Sequence, residues 1–255
     1  MSEKLLHILN DKNTWISGEE ISRQLGISRA AIWKKITYLR ESGYTIEALP
    51  NKGYCLVGRP DVLTQNEIEN GLQTESIGKK GIVYFTETDS TNNQAKIIAS
   101  ENAPEGTLVI AESQTCGRGR KGRSWHSATG MGIYLSIILR PLMQPQEVSQ
   151  ITLMTAVAVI EAFKEFASLP FSIKWPNDIL VNNKKMSGIL TEMECSQDAI
   201  NYVIVGVGMN INTIAEDLPS DIKEIASSLR IETGQIFSRI KVLHAFLRQF
   251  EYYYG

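Results

Sequence analysis

A stretch rich in glycine and arginine, residues 117–125, has the residue types that suit anion binding. It reads G-R-G-R-K-G-R-S-W, so that three glycines separate the cations Arg118, Arg120, Lys121 and Arg123. Glycine adopts positive φ without steric cost, and the backbone can therefore bend sharply around a small group. Guanidinium groups offer planar sets of donors that match carboxylate and phosphate oxygens. We interpret the stretch as a loop that closes over a negatively charged ligand; a solvated basic loop or a nucleic-acid patch is the alternative.

Two common nucleotide motifs do not explain this loop. Gly117, Gly119 and Gly122 match G-x-G-x-x-G, but that fingerprint needs a strand before it and a helix that opens within it. Residues 124–130 have no helical apolar period, and the sequence contains no G-x-x-x-x-G-K-[ST]. The sequence therefore predicts neither a Rossmann site nor a Walker-type ATP site.

Residues 89–93 form a second polar stretch, D-S-T-N-N. They follow a predicted buried strand at 81–86 and cap a predicted helix that ends near Ser100. The free N–H groups of a helix N-terminus can bind a ligand, although ordinary capping also explains these residue types.

Two more polar stretches follow predicted strands. Residues 174–178, K-W-P-N-D, come after a predicted buried strand at 171–173, and residues 206–212 come after a predicted central strand at 202–205. Gly188 lies inside another predicted strand, and an interior strand glycine is typical of close approach by a ligand.

The first sixty residues have the pattern of a winged helix-turn-helix. A short helix is predicted at 3–10, and a capping box of Ser17 and Glu20 opens a second helix that ends at Gly26. Ser28 caps a third helix, which runs to about Ser42. A predicted β-hairpin at 44–57 completes the pattern as the wing.

The third helix of this motif enters the major groove of DNA. Its predicted DNA-binding residues are Ser28, Arg29, Trp33, Lys34 and Lys35, with Lys52 of the wing as a further phosphate contact. Residues 1–60 contain nine Lys and Arg against six Asp and Glu, whereas the remainder contains seventeen against twenty-two. A basic head on an acidic body fits nucleic-acid binding. The alternatives are a protein-interaction module for the head and a core position for Trp33.

The remainder of the chain interleaves strands and helices, with several strands joined by hairpins. Helices are predicted at 64–72 (with a capping box of Thr64 and Glu67), 148–167 and 238–254. The prediction is an α+β fold, in which helices back a mixed, largely antiparallel sheet. The expected domains are a winged helix-turn-helix at 1–60, a linker at 61–66 and a larger domain at 67–255.

The amino-acid composition indicates which classes of protein the chain can belong to. The chain is 43% hydrophobic and 21% charged, as in soluble globular proteins. It has no run of about 18 apolar residues and no signal peptide at its start, so we expect no membrane association. Its three cysteines are far apart, which favours a reducing cytoplasm. Its three scattered histidines argue against a zinc site built by the protein.

The motifs together resemble the biotin–protein ligases. The resemblance lies in residues 89–92, Gln114 with 117–125, 174–178, 185–190 and 206–210, in this order and spacing. With its winged head, the chain is similar to the bifunctional ligase/repressors of the BirA family. The resemblance covers nearly the whole chain and implies a class II synthetase-like catalytic domain.

The resemblance also implies a reaction and partners. Biotin and Mg-bound ATP would give biotinyl-5′-adenylate and pyrophosphate, and the adenylate would then acylate one lysine of a biotin carboxyl carrier protein. In this family the adenylate promotes a homodimer, which binds operator DNA and represses biotin genes. Mg²⁺ would arrive with the nucleotide.

The resemblance assigns roles to residues of the larger domain. Lys185, Arg118 and Arg120 are implied to be catalytic, through charge stabilisation. Implied biotin-binding residues are Ser90, Thr91, Asn92, Gln114, Gly117, Arg118, Gly119, Arg120, Lys185 and Gly188. Implied nucleotide-binding residues are Trp125, Lys174, Asn177, Gly206, Gly208 and Asn210. Asp178 either contacts Mg²⁺ or caps its turn.

The sequence departs from the family pattern in two places. Cys116 stands where the family commonly has alanine, and the chain ends at Gly255, ahead of the family's SH3-like domain. We therefore expect a catalytic domain truncated at its C-terminal end. A biotin-sensing regulator without ligase activity and a lipoate-type acyl ligase stay open as alternatives.

Overall fold

The computed structural model describes residues 2–9, 14–196 and 199–255. The chain divides into two compact units, Met1–Asp61 and Val62–Gly255. No helix among the described residues is both long enough and apolar enough to cross a bilayer.

The first unit is a three-helix bundle with a β-hairpin. Its helices are α1 (Ser2–Ile8), α2 (Gly18–Leu25) and α3 (Arg29–Glu41), and its strands are β1 (Thr45–Leu49) and β2 (Gly53–Gly58). The predicted end of the first helix, Asn10, lies outside the described residues. The fully buried side chains at the centre of the unit include Leu5, Ile21, Ile32 and Ile36.

The predicted capping residues lie at the ends of α2 and at the start of α3. The Ser17 hydroxyl accepts from Glu20 N at 3.1 Å, and Gly26 ends α2 with φ 65°. Ser28 likewise accepts from Ala31 N at 3.3 Å. Only the Ser17 half of the predicted capping box forms, because the Glu20 carboxylate is occupied by Arg23 and by Gln24 Nε2 at 2.6 Å.

The second unit contains a seven-stranded sheet in the order β3-β4-β5-β9-β8-β7-β6. Neighbouring strands are antiparallel except β3 and β4, which are parallel. This confirms the predicted α+β class and the mixed, largely antiparallel sheet. The strands are β3 (Ile82–Thr88), β4 (Leu108–Gln114), β5 (Gly132–Leu139), β6 (Phe171–Lys174), β7 (Asp178–Val181), β8 (Lys184–Ser196) and β9 (Ala199–Asn210).

Helices cover both faces of this sheet. They are α4 (Gln65–Glu69), α5 (Thr91–Ser100), α6 (Val148–Lys164), α7 (Leu229–Thr233) and α8 (Arg239–Tyr254). Successive strand residues point to opposite faces. Ile137 accordingly packs in the main core with α6 and α8, whereas Ile138 packs with Ala95 and Ala99 of α5.

Three strand predictions need correction. β3 and β6 were expected to be buried, but both are edge strands with one neighbour each, and Ser172 and Ile173 of β6 are exposed. β9 continues to Asn210, so that Gly206 and Gly208 lie inside a strand and not after one. The reason is pairing on both sides, with β5 up to Asn210 and with β8 up to Met209.

Two helix predictions also need correction. α4 ends at Glu69, one turn before the expected end, and Thr64 makes no side-chain hydrogen bond at its N-terminus. α6 ends at Lys164, three residues before the expected end. The start of α6 at Val148 is as predicted.

Candidate functional site

A groove opens on the face of the sheet that carries α5, where strand glycines leave out side chains. Gly188 of β8 lies opposite Gly208 of β9, and Leu190 lies opposite Gly206. We call this the sheet groove. It is lined by Ser90, Thr91, Asn92, Gln114, Arg118, Gly119, Arg120, Trp125, Leu135, Asn177, Lys185, Gly188, Leu190, Gly206, Val207 and Gly208. The structure thus brings together most of the residues that the sequence singled out, from five separate stretches.

The glycines are required because other groups approach the backbone closely. A Cβ at Gly206 would lie 2.0 Å from Asn92 Oδ1, and one at Gly208 would lie 2.4 Å from Trp125 Cε2. A Cβ at Gly188 would lie 2.8 Å from the same indole ring. Gly188, Gly206 and Gly208 thus form the floor of the groove, which we call the glycine floor, and Trp125 lies across it.

The loop of residues 117–125 folds back on itself as a small hairpin. Trp125 N donates to Gly117 O at 2.8 Å, and Gly119 N donates to Arg123 O at 2.7 Å. Lys121 at the tip has a φ of 56°. Gly117 supports the loop from behind, since a Cβ there would lie 2.4 Å from the Trp125 carbonyl oxygen. Among the predicted biotin-binding residues it is the one that does not line the sheet groove.

A hydrogen-bonded wall closes one side of the groove. Gln114 Oε1 accepts from Thr91 N at 2.8 Å, and Gln114 Nε2 donates to Ser127 Oγ at 2.9 Å. The hydroxyl of Ser136 lies 2.9 Å from Thr91 Oγ1 and 2.7 Å from Asn92 Oδ1. These contacts fix the orientation of the polar groups before a ligand arrives.

Asp89 orders the first turn of α5 at the edge of this wall. Its carboxylate accepts from Asn93 Nδ2 at 2.6 Å and from Gln94 Nε2 at 3.0 Å. The hydrogen bond from Asn93, followed by the one from Gln94, lowers the pKa of Asp89 to about 2. The side chain is therefore an anion at neutral pH and supports the helix N-terminus.

Cations converge on the groove from the loop and from β8. Arg118 Nη1 donates to Asn93 Oδ1 at 2.7 Å and Arg118 Nη2 lies 3.1 Å from Glu192 Oε1. Arg120 Nη1 donates to Asn177 Oδ1 at 3.4 Å. A guanidinium held on one side by protein acceptors keeps its other donors for a ligand.

Lys185 lies where the sheet groove meets a second cavity. Its ammonium is 2.8 Å from Asp178 Oδ1 and 5.2 Å from the centre of the Trp125 ring. The contact with Asp178 is electrostatic, because Asp178 Oδ1 has no hydrogen-bond donor among the described residues. Trp125 Nε1 is likewise buried with no acceptor in the described part of the chain.

The second cavity, which we call the side cavity, shares Trp125 and Lys185 with the sheet groove. It encloses about 1020 Å³ of space, including space open to solvent. Cationic and polar residues meet an apolar wall there. The lining is Arg123, Ser124, Trp125, His126, Lys174, Asp178, Leu180, Asn183, Lys185, Asn210, Thr213, Leu218, Ile222, Ile225 and Ala226. An apolar wall with a few placed cations suits a heteroaromatic phosphate ester.

The predicted nucleotide-binding residues divide between the two spaces. Lys174 and Asn210 line the side cavity, whereas Asn177, Gly206 and Gly208 line the sheet groove. Asn177 also holds the strands together, since its Nδ2 donates to Ile189 O at 2.9 Å. Asn210 Nδ2 donates to Ser227 O at 3.0 Å, and so fixes the segment that forms the apolar wall.

Sequence reasoning missed Ser136, Glu192 and the apolar wall of the side cavity. Ser136 is a single polar residue in the buried strand β5, and that isolation was a usable signal. Glu192 gave no such signal, because Glu194 lies two residues further along the same strand and looks equivalent in the sequence. Leu218 and Ile222 lie in a segment without regular secondary structure, for which hydrophobic periodicity gives no prediction.

The first unit presents a separate candidate DNA-binding surface on α3. Trp33 is 59% exposed, which excludes the core alternative for this residue. Ser28, Arg29 and Lys34 are exposed, whereas Lys35 is partly covered. Lys52 at the hairpin lies 6.0 Å from the centre of the Trp15 ring. Exposed cations and an aromatic side chain on α3, the third helix of the motif, suit contact with DNA.

No group of three or more His, Cys, Asp and Glu side chains could hold a metal ion within residues 2–9, 14–196 and 199–255. Mg²⁺ in proteins commonly takes one or two carboxylates and completes its coordination with substrate phosphates and water.

These two units define a class of protein that joins a winged helix-turn-helix to an α+β domain with a groove lined by cationic and polar residues. Comparison with known families agrees with both units. Residues 83–210 match the biotin/lipoate A/B protein ligase family, and residues 2–55 match an HTH domain. Among solved structures, the biotin protein ligase of Aquifex aeolicus, in complex with biotin and ATP, has a TM-score of 0.58 and 36% identity, over 68% of this chain and 70% of that one.

Two curated relatives bear the name bifunctional ligase/repressor BirA. The bifunctional ligase/repressor BirA of Bacillus subtilis is 46% identical over 94% of this chain and 73% of the relative. The protein of the same name from Escherichia coli is 32% identical over 76% of this chain and 59% of the relative. The chain belongs to the biotin/lipoate A/B protein ligase family. The resemblance inferred from the motifs is thereby confirmed.

Proposed function

We propose that this chain is an ATP-dependent biotin–protein ligase and a transcriptional repressor of biotin genes. The observation that carries the proposal is the position of Lys185, between a polar groove suited to a small carboxylic acid and a cavity suited to a nucleotide. The match to the Bacillus subtilis relative, which is named bifunctional ligase/repressor, spans 94% of this chain and therefore extends over both units.

In the first step a carboxylate oxygen of biotin attacks the α-phosphorus of ATP, and the bond to pyrophosphate breaks. Biotin lies in the sheet groove and the nucleotide reaches it from the side cavity. The two reactants are both anions, so cations have to offset their repulsion and the charge that grows on the leaving pyrophosphate. Lys185 has this role at the junction, with Arg118 and Arg120 on the loop.

The groove residues bind and orient biotin. Thr91 and Gln114, held by Ser136 and Ser127, direct polar groups to the acid, and the glycine floor allows it to approach the sheet. Because the two reactants are held in alignment, their reaction becomes effectively unimolecular. The remaining biotin contacts in this proposal are Ser90, Asn92, Gly119 and Gly188, whereas Gly117 supports the loop from behind.

The nucleotide contacts lie around Trp125, Lys174, Asn177, Gly206, Gly208 and Asn210. Trp125 covers the glycine floor, and the closed loop keeps water from a mixed anhydride that hydrolyses readily. Mg²⁺ carried by ATP would neutralise phosphate charge. Asp178 lines the side cavity beside Lys185, and it would be the protein ligand of an ion that takes its other ligands from phosphate and water.

In the second step a lysine amine of a biotin carboxyl carrier protein attacks the acyl carbon of biotinyl-5′-AMP, and AMP leaves. The products are a biotinyl-lysine amide and AMP. A cytoplasmic location is proposed, and it accords with the free cysteines Cys55, Cys116 and Cys195.

The proposed domains are a DNA-binding head at 1–60, a linker at 61–66 and a catalytic domain at 67–255. Ser28, Arg29, Trp33, Lys34 and Lys35 contact operator DNA, and binding of the adenylate promotes a homodimer. This part of the proposal rests on the exposed cationic face of α3 and on the repressors among the relatives.

Transfer of labelled biotin to a carrier protein tests the ligase. The 255-residue chain is incubated with ATP, Mg²⁺, labelled biotin and a carrier protein, with excess unlabelled lipoate in a parallel sample. We expect label on the carrier lysine and little competition from lipoate. Efficient competition by lipoate would show that the protein is a lipoate ligase. If the chain binds biotin but the carrier carries no label, the protein is a biotin sensor without ligase activity.

A further inference from the structure

Four donor atoms, two from helix α5 and two from the loop of residues 117–125, converge on the carboxylate of Glu192. Lys96 Nζ lies 2.6 Å from Oε1, and Asn92 Nδ2 lies 2.9 Å from Oε2. The Arg118 guanidinium lies 3.1 Å from Oε1 through Nη2 and 3.4 Å from Oε2 through Nη1. Glu192 thus joins strand β8, helix α5 and the loop of residues 117–125.

Glu192 stands at the end of the line of groove residues on β8. Alternate residues of a strand share a face, and Gly188 and Leu190 both line the sheet groove. Glu192 follows in the same register and is 19% exposed. It therefore meets Arg118 where the loop crosses the groove.

The charges explain why the contact needs a carboxylate. Lys96 and Arg118 are both cations, and only an anion between them stabilises their approach. Burial alone raises the pKa of Glu192, but the hydrogen bonds from Lys96 and Asn92, with the Lys96 and Arg118 charges, bring it below the ordinary value. The side chain is thus ionised at neutral pH. A neutral amide of the same shape would keep some hydrogen bonds and lose the attraction to the Arg118 guanidinium.

We propose that Glu192 is a positioning residue for Arg118, and that it holds the 117–125 loop against the groove and so sets how long biotinyl-5′-AMP stays bound. The proposal deepens the ligase function and rests on it. Glu192 acts through the loop and does not itself contact the reacting atoms.

The first test needs no substrate. Trypsin cleaves after Arg118, Arg120, Lys121 and Arg123, so the cleavage rate within residues 117–125 reports how firmly the loop is held. Glu192→Gln should raise that rate about tenfold, in line with loss of one charged hydrogen bond, and Glu192→Asp should lie in between. Glu194→Gln is the matched control, because Glu194 is on the same strand and lies 3.4 Å from Tyr202 Oη, outside the loop.

The second test follows release of the product of the first step. Biotinyl-5′-AMP is formed on the chain, and its dissociation is measured by rapid filtration after dilution into excess unlabelled biotin and ATP. Glu192→Gln should accelerate release about tenfold, while Glu194→Gln leaves it unchanged. Combining Glu192→Gln with Arg118→Met should add nothing to Arg118→Met alone, because in this proposal Glu192 acts on the loop through Arg118.

The outcomes separate this proposal from the ligase function. Equal tryptic cleavage in Glu192→Gln and in the unsubstituted chain, or additive effects in the double variant, would overturn the positioning role. Failure of the unsubstituted chain to form any adenylate would overturn the ligase function, and the proteolysis result would still decide whether Glu192 holds the loop. Thermal unfolding of each variant shows whether a change is local.

Discussion

At the scale of single residues, Lys185 lies where the two candidate ligand-binding spaces meet. Its ammonium is paired with Asp178, lies near the Trp125 ring and lines both the sheet groove and the side cavity. A flexible cation with one weakly directional partner can move to a stronger anion when a substrate arrives. Its proposed role is therefore to stabilise charge during adenylation.

Lys185→Met should slow biotin adenylation by about 10²–10³-fold, the usual effect of removing one group that stabilises transition-state charge. Affinity for biotin alone should change far less, since the acid retains its contacts in the groove. Rapid-quench measurement of biotinyl-5′-AMP formation gives the rate, and calorimetry gives the affinity.

Lys184→Met is the matched control, because the neighbouring lysine does not line either space. A Lys185→Met rate within twofold of the control would contradict the charge-stabilising role.

Asp89 permits a prediction of pH dependence at the same scale. Its pKa falls from an ordinary value of 3.8 to about 2 in the folded chain, mainly through hydrogen bonds from Asn93 and Gln94. The folded state therefore binds fewer protons between these values, and the stabilisation is present above about pH 4 and lost as the pH falls towards 2.

Asp89→Asn should lower the free energy of unfolding by about 1 kcal/mol near pH 7, a modest figure because the group is partly solvated. The difference between the two proteins should shrink as the pH falls below 4. Urea unfolding at several pH values measures it, and a difference that is constant with pH would refute the explanation.

At the scale of elements, the paired strands β8 and β9 form the floor of the groove. Gly188 and Gly208 face each other, and Trp125 lies against both. The floor consists of residues without side chains, so even one methyl group added at Gly188 or Gly208 would clash with the indole ring.

Gly208→Ala should raise the KM for biotin about tenfold, because a methyl group would displace the indole or the ligand at a cost typical of an overpacked site. Steady-state kinetics of carrier biotinylation measure this. Gly81→Ala is the control, since a Cβ there meets Thr107 at 3.5 Å in ordinary contact. Equal KM values for the two variants would show that the floor does not contact the ligand.

Helix α3 supplies the corresponding prediction for DNA. Lys34→Ala should weaken binding to operator and non-operator DNA alike and reduce the slope of log K against log salt by about one, as expected for a lost phosphate contact. Lys4→Ala removes an exposed cation from α1 and should leave the slope unchanged. Fluorescence anisotropy at several salt concentrations distinguishes them, and equal slopes would remove Lys34 from the interface.

The elements also show how far sequence alone could reach. Ser17, Gly26 and Ser28 were located correctly because a cap depends on a few neighbouring residues. The end of β9 was predicted too early, because glycine disfavours strands locally whereas pairing with two neighbours carries the strand through Gly206 and Gly208. Local propensity does not include such tertiary pairing.

The same distinction holds for the site. Arg118, Lys185 and Gly188 were singled out because each stands in a motif with unusual spacing. Glu192 could not be found from the sequence, and Ser136 was marked only by its isolation in a buried strand. The partners of both lie at a separation of 44 residues or more: Arg118 for Glu192, and Asn92 and Thr91 for Ser136. Only the fold brings those side chains together.

At the scale of the whole molecule, one chain carries a basic winged head and an acidic ligase domain. The head has a net excess of cations and the remainder a net excess of anions. Such a distribution directs the head towards nucleic acid and the remainder away from it. One chain can then respond to biotin both by using it and by controlling genes for its supply.

The central claim is that the groove and the side cavity form one adenylation site, and biotin-dependent exchange of labelled pyrophosphate into ATP tests it most directly. The 255-residue chain is incubated with ATP, Mg²⁺ and labelled pyrophosphate, with and without biotin. We predict exchange that requires biotin, is not supported by lipoate and is strongly reduced in Lys185→Met. Absence of exchange in a folded chain that still binds biotin would contradict the claim.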